Sequence, residues 1–186
     1  MESRFAPAGV DLSVADEINE LLQSRLDGLV DLGLTLKHVH WNVVGPGFVA
    51  VHEMLDDQVA GVRLMADEVA ERIATLGGVP NGLLGGLVKR RDWDDYSIGR
   101  AVVAAHLGAL DKVYDGVIAD HRGAIDATAP DDPVTADLLT GQSGKLELYQ
   151  WFIRAHLENT SGELSTAGEK SEIDAAAAAA VADPIE

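Results

Sequence analysis

The sequence predicts an all-α fold: four long helices packed as a bundle, with one long crossover between the second and the third. Three observations carry that expectation. Apolar residues recur near the 3.6-residue helical period through four stretches of roughly 27–32 residues. The composition is 47% hydrophobic but only 5% aromatic, and such aliphatic, Ala-rich segments favour helix. The three connections run short, long, short. No stretch reads as a strand.

Residues 1–12 form an N-terminal tail, irregular around Pro7 and Gly9. The first helix is expected from Ser13 to Val44, on the stripe Ile18, Leu22, Leu26, Leu29, Leu36, Val39 and Val43. Gly45-Pro46-Gly47 breaks it. The second runs from Phe48 to Leu76, with Val51, Leu55, Val59, Val62, Met65, Val69 and Ile73 inward. Gly77-Gly78-Val79-Pro80-Asn81-Gly82 stops it, and a glycine-rich linker continues to about Arg91. Gly82-Leu83-Leu84-Gly85-Gly86 lacks a Gly-Lys-Ser/Thr ending and a preceding strand, so it reads as crossover and not as a phosphate loop. Asp92-Trp93-Asp94-Asp95-Tyr96 is placed to start a short extra helix. The third long helix covers Ile98 to Ala127. Asp132 then stands as N-cap and Pro133 at the first helical position of the fourth, which runs to about Asn159. The bundle thus spans 13–160, and one crossover is the ferritin-like layout. Residues 161–186 form an acidic C-terminal tail, polar and then Ala-rich, whose composition suggests disorder or a frayed helix.

A chain of 186 residues suits one domain with a full core. With no cysteine, thiolate metal sites, disulfides and cysteine nucleophiles are excluded. No apolar run reaches the ~18 residues of a membrane span, and the N-terminus lacks a signal h-region. A cytoplasmic protein without membrane contact is expected. The net charge of −17, from 31 acids and 14 bases, repels nucleic acid and attracts cations.

The chemistry concentrates between His40 and Glu71. His52 and Asp56 are spaced i,i+4, as are Asp67 and Glu71, so each pair shares a helix face. His40 lies six residues before Pro46 and His52 six after, so an antiparallel hairpin brings the two imidazoles together. The two i,i+4 pairs, however, stand about 22 Å apart along one helix. They share a metal only if a second copy of the helix lies antiparallel across a two-fold axis. Imidazole and carboxylate donors without sulfur fit iron, zinc or manganese. Glu-x-x-His, the usual motif of di-iron bundles, is absent from the sequence, which supports a shared site. His38, His106, His121 and His156 read as structural or solvated.

Five segments then carry a resemblance: Leu36-Lys37-His38-Val39-His40-Trp41-Asn42-Val43-Val44-Gly45, Phe48-Val49-Ala50-Val51-His52-Glu53-Met54-Leu55-Asp56, Asp67-Glu68-Val69-Ala70-Glu71-Arg72, Thr135-Ala136-Asp137-Leu138-Leu139 and Trp151-Phe152-Ile153-Arg154. Over residues 15–160 the chain resembles the Dps proteins, the mini-ferritins. The resemblance implies a hollow homododecamer with a ferroxidase centre at each two-fold interface. His40, His52 and Asp56 come from one chain, Asp67 and Glu71 from its mate. It implies oxidation of Fe²⁺ by hydrogen peroxide or O₂, storage of the ferric mineral, and protection against oxidative damage. Trp41 resembles the tryptophan kept beside that centre, as an electron source or as packing. Asp137 and Asp132 fall where Dps proteins line iron-admitting pores. Glu53 and Asp57 point about 100° away from the ligands, toward a cavity where mineral nucleates or simply as a solvated acidic face.

Many Dps proteins also condense DNA, usually through basic tails. Here residues 1–17 hold Arg4 against four acids, and residues 158–186 hold Lys170 against seven. DNA binding is therefore not expected, and a nucleoid-protecting role is the alternative function. Haem is not expected either, because Met54 and Met65 both fall on the core stripe.

Overall fold

Four long helices form where the apolar stripes place them. In the computed structural model, which describes residues 3–182, these are α1 (Leu12–Asn42), α2 (Phe48–Thr75), α4 (Val103–Thr128) and α5 (Pro133–Leu157). Residues 1–2 and 183–186 belong to the two expected tails and lie outside the described residues. Leu22, Leu29, Leu36, Leu55, Leu107, Leu110, Leu139 and Leu146 are fully enclosed between the four helices. Each such side chain contributes about 1.5–3 kcal/mol of burial. Asp132 caps α5 as expected, accepting from the backbone amides of Val134 and Thr135.

The ends of the helices depart from the sequence reading. Val43–Val44 (β1) leaves the helix and pairs in parallel with Ala101–Val102 (β2), Val43 opposite Ala101 and Val44 opposite Val102. Two consecutive β-branched residues fit this extended pairing better than a last helical turn. Gly45 and Gly47, at φ +93° and +75°, then turn the chain into α2. The same pairing delays α4 from Ile98 to Val103.

The short helix of the crossover is also not where Asp92 placed it. It is α3 (Leu84–Arg90), inside the glycine-rich linker. Leu87 plugs into the body at 3% exposure, and Arg90 clamps the Asp27 carboxylate with two hydrogen bonds of 2.7 Å. Those anchors outweigh the cost of Gly85 and Gly86 within one turn. Trp93 instead donates its indole N–H to Asp31, at 3.0 Å, and residues 94–99 run without helix.

Both tail segments are docked along the lengths described. Arg4 N–H donates to the Gly77 carbonyl at 3.2 Å, and Asn19 Nδ2 donates to Ser3 Oγ at 2.9 Å. At the other end, α6 (Glu172–Ala182) packs on α4 rather than fraying. Gly108 makes the contact possible: a Cβ there would stand 2.5 Å from the Ala175 carbonyl oxygen and 2.9 Å from Ala179 Cβ. An Ala-rich face meets a glycine, so small residues suffice. Asp111, 1% exposed, ties the returning segment down. It accepts from Arg154 Nε at 2.7 Å, Gln150 Nε2 at 3.1 Å and Thr166 Oγ1 at 3.4 Å.

Of the four histidines read as structural or solvated, His106 and His121 are fully buried, His38 bonds the Ile98 carbonyl at 2.9 Å, and His156 is exposed. Met65 is in the core at 5% exposure.

Gly108→Ala should cost about 1–3 kcal/mol by overpacking and raise amide exchange over 172–182, read by mass spectrometry. Burial, helped by the Arg25 charge, holds His121 down at about 4 from an ordinary 6.5. The folded value is the lower one, so the unfolded chain takes the proton first. Stability is complete above about 6.5 and falls by about 3 kcal/mol as pH drops toward 4. In denaturant titrations across that window, His121→Leu should flatten the acid limb by about one proton.

Candidate metal centre

The hairpin from α1 to α2 brings His40 and His52 face to face. Their rings stack with centroids 3.6 Å apart and planes 20° from parallel. His40 Nδ1 lies 2.9 Å from the His52 carbonyl oxygen, and His52 Nδ1 lies 3.0 Å from the His40 carbonyl oxygen. A carbonyl only accepts, so each Nδ1 carries a proton, and in the neutral ring each Nε2 keeps the lone pair that a metal ligand needs. The His40 carbonyl is also one of the four that a helix C-terminus leaves unsatisfied, so the ring of His52 closes the end of α1. His40 is 6% exposed, and His52 is half-buried.

Asp56, one turn along α2, completes a cluster. One donor atom from each of His40, His52 and Asp56 lies within 4.8 Å of the others. The Asp56 carboxylate is exposed and accepts from Lys37 Nζ at 2.6 Å. That ammonium, then the neighbouring imidazoles, holds the carboxyl below its ordinary value of 3.8. The three groups offer two neutral nitrogens and one anionic oxygen, a set suited to a divalent transition metal. Lys37 is a neighbour that the spacing argument did not reveal, because an α1 lysine nineteen positions before Asp56 shows no local signal.

The remaining expected residues sit elsewhere. Asp67 and Glu71 are exposed on α2, about 22 Å from His52 and Asp56 by helical rise, and outside the cluster. Trp41 adjoins His40 with 72% of its surface exposed. Nearby, Leu34 and Val49 are exposed at 48% and 59%, and Leu64 farther along α2 at 60%, an apolar set flanking both halves of the five-residue pattern. Glu53 and Asp57 are exposed on α2, and Asp137 on α5. Asp132, expected at a pore, is 2% exposed. Its carboxylate is enclosed by Arg72 Nη2 at 2.6 Å and the backbone amides it caps, with Thr135 Oγ1 also against it.

A ferritin-like domain family matches residues 19–162 of the chain. A DNA protection during starvation protein from Mycolicibacterium smegmatis is 54% identical over 172 residues, 92% of this chain and 94% of that one. The chain belongs to the Dps family. Among solved structures, a Mycobacterium smegmatis Dps is 54% identical, covers 91% of this chain and 96% of that one, and superposes with a TM-score of 0.87. DpsA14 from Streptomyces coelicolor is 56% identical over 88% of this chain and 98% of that one, with the same TM-score of 0.87. Among the described residues, no helix of this Dps chain is long and apolar enough to cross a membrane.

Lys37, bonded to Asp56 at 2.6 Å, would compete with a metal held there. Lys37→Met should tighten Co²⁺ or Zn²⁺ binding severalfold, the range of an exposed ion pair worth about 0.2–1 kcal/mol. Calorimetric titration of the two proteins side by side measures it.

Proposed function

We propose that this Dps chain oxidises Fe²⁺ at centres built between two subunits and stores the ferric product inside a closed shell of twelve copies. The observation that carries the reading is the half-site. His40, His52 and Asp56 converge with their imidazoles fixed as ligands, while the matching carboxylate pair, Asp67 and Glu71, is exposed and out of reach on the same helix. Two copies of α2 running antiparallel across a two-fold axis join each half-site to its complement twice. The exposed Leu34, Trp41, Val49 and Leu64 are the apolar surface such an interface covers.

Iron is the substrate of this centre. Carboxylate oxygens favour Fe³⁺ over Fe²⁺, so the mixed donor set drives the ion toward oxidation. The oxidant is hydrogen peroxide or O₂; two irons delivering two electrons to one peroxide form hydroxide and no hydroxyl radical. His40 and His52 hold their ligating nitrogens ready. Trp41 shields the centre or lends an electron. Asp137, exposed near the start of α5, serves an iron-admitting pore, since a ring of carboxylates concentrates divalent cations. Asp132, engaged inside its own chain, serves α5. Glu53 and Asp57 give acidic oxygens on which mineral starts. The reading places the protein in the cytoplasm, needs no haem, and protects DNA by removing iron and peroxide rather than by contact. Both tails are acidic, and a shell of net charge −17 per chain repels phosphates.

Subunit mixing tests the shared centre. Shells of His52→Ala alone, or of Glu71→Ala alone, should lose nearly all peroxide-driven Fe²⁺ oxidation. A dimer carrying one of each holds one doubly defective centre and one intact centre, so mixed shells should regain a substantial part of the activity. Mixed shells verified by mass yet as inactive as their parents would mean that each chain holds its own site.

A further inference from the structure

Tyr96 and His106 lie against the end of α1 that carries His40 and Trp41. Tyr96 Oη is 3.1 Å from His106 Nδ1. The two rings are near-parallel, 14° apart with centroids at 6.1 Å. Tyr96 also meets the His38 ring edge-on at 5.8 Å, and His38 precedes His40 by two residues, about 3 Å along the helix axis. The backbone carbonyls of Asn42 and Gly99 also lie close to the His106 imidazole. His106 is fully buried, and its Nε2 makes no hydrogen bond of ordinary geometry. In the tautomer with the proton on Nε2, the Nδ1 lone pair accepts from the Tyr96 hydroxyl. The β1–β2 pairing clamps this corner, since it joins the residue after Asn42 to Ala101, between Tyr96 and His106.

The arrangement is a phenol with its own base, touching the helix turn on both sides of a metal ligand. The other two tyrosines lack that base: Tyr114 donates to the Gln58 amide oxygen at 2.8 Å, and Tyr149 packs over Gly61. Burial raises the Tyr96 phenol far above its ordinary 10.0 and lowers the His106 imidazole. The phenol therefore stays protonated and the imidazole neutral until an electron leaves.

We propose that Tyr96 is a proton-coupled electron donor to the His40–His52–Asp56 centre, acting when a centre holds one Fe²⁺ at the moment peroxide arrives. This rests on the reading of that centre as a site of iron oxidation. One Fe²⁺ alone gives H₂O₂ a single electron, breaking the O–O bond into hydroxide and a hydroxyl radical. With Tyr96 supplying the second electron, both oxygens leave as hydroxide. The iron becomes Fe³⁺, Tyr96 becomes a neutral phenoxyl radical, and its proton moves along the hydrogen bond to His106 Nδ1. In full, Fe²⁺, H₂O₂, Tyr96–OH and neutral His106 give Fe³⁺, two OH⁻, Tyr96–O• and protonated His106. The carbonyls of Asn42 and Gly99 face the positive ring so formed. A later Fe²⁺ reduces the radical, and the proton returns from His106 to the phenol. The sum is two Fe²⁺ oxidised per peroxide.

The test uses the assembled protein loaded with one Fe²⁺ per centre, mixed with hydrogen peroxide and freeze-quenched for electron paramagnetic resonance. A tyrosyl signal should form with the first Fe³⁺. It should narrow when the protein is made with ring-deuterated tyrosine, an arm that needs no substitution. The signal should vanish in Tyr96→Phe, fall severalfold in His106→Asn, and persist in Tyr114→Phe and Tyr149→Phe. Hydroxyl radical caught by a spin trap should rise severalfold in Tyr96→Phe at this loading. Iron oxidised without a tyrosyl signal, or a signal that survives Tyr96→Phe, would overturn the proposal while leaving the iron chemistry in place. Failure of the unsubstituted protein to oxidise Fe²⁺ with peroxide at any loading overturns the reading of the centre, and this proposal with it.

Discussion

The reciprocal hydrogen bonds between His40 and His52 fix more of this molecule than any other contact. Each ring donates to the other residue's carbonyl, which sets the tautomer and direction of both imidazoles. The bond from His52 also settles the C-terminal end of α1, whose last carbonyls lack backbone partners. The turn between the helices, with its two left-handed glycines, is shaped by the need to bring those rings into register. A side chain that only closed the helix, such as asparagine, would offer no ring nitrogen to a metal. A ligand that only bound metal would leave the α1 terminus open.

Elsewhere the scarce bases serve as internal fasteners. Arg90 holds the crossover to α1 through Asp27, Arg72 holds α2 to the start of α5 through Asp132, and Arg154 holds α5 to α4 through Asp111. In each pair the carboxylate is at most 3% exposed. Their desolvation is offset by multiple hydrogen bonds and not by charge alone. With these bases committed inward, the surplus acid is left for the surface. The negative surface that attracts metal cations is thus partly a product of how the bundle is fastened.

The long helices and the donor pattern were legible because both are local. A stripe at 3.6-residue spacing states a helix, and i,i+4 donors state a shared face. The misread places all depend on distant partners. Val43–Val44 became a strand because Ala101–Val102 arrives beside it. The glycine-rich Leu84–Arg90 became a helix because Asp27 and the Leu87 socket hold it, and no window of sequence contains those anchors. The Ala-rich tail segment read as disordered or as a frayed helix since its own composition offers little to bury, and the matching Gly108 lies more than sixty residues away. Asp132 shows the opposite case. Its capping role was visible at once, but the Arg72 contact that encloses it was not.

The hairpin has a consequence for the order of events as a chain is made. His40 and His52 are twelve residues apart, so they meet by closing one short loop, among the fastest steps available to a polypeptide. The latch from Val43 to Ala101 and the fastening of the crossover close much longer loops and come later. Where the complementary carboxylates belong to a second subunit, they arrive last, at a rate set by concentration. A newly synthesised subunit can therefore hold a metal ion loosely before it has a partner. On the proposed function, oxidation waits for the interface, which would confine the reactive step to protein that has already assembled.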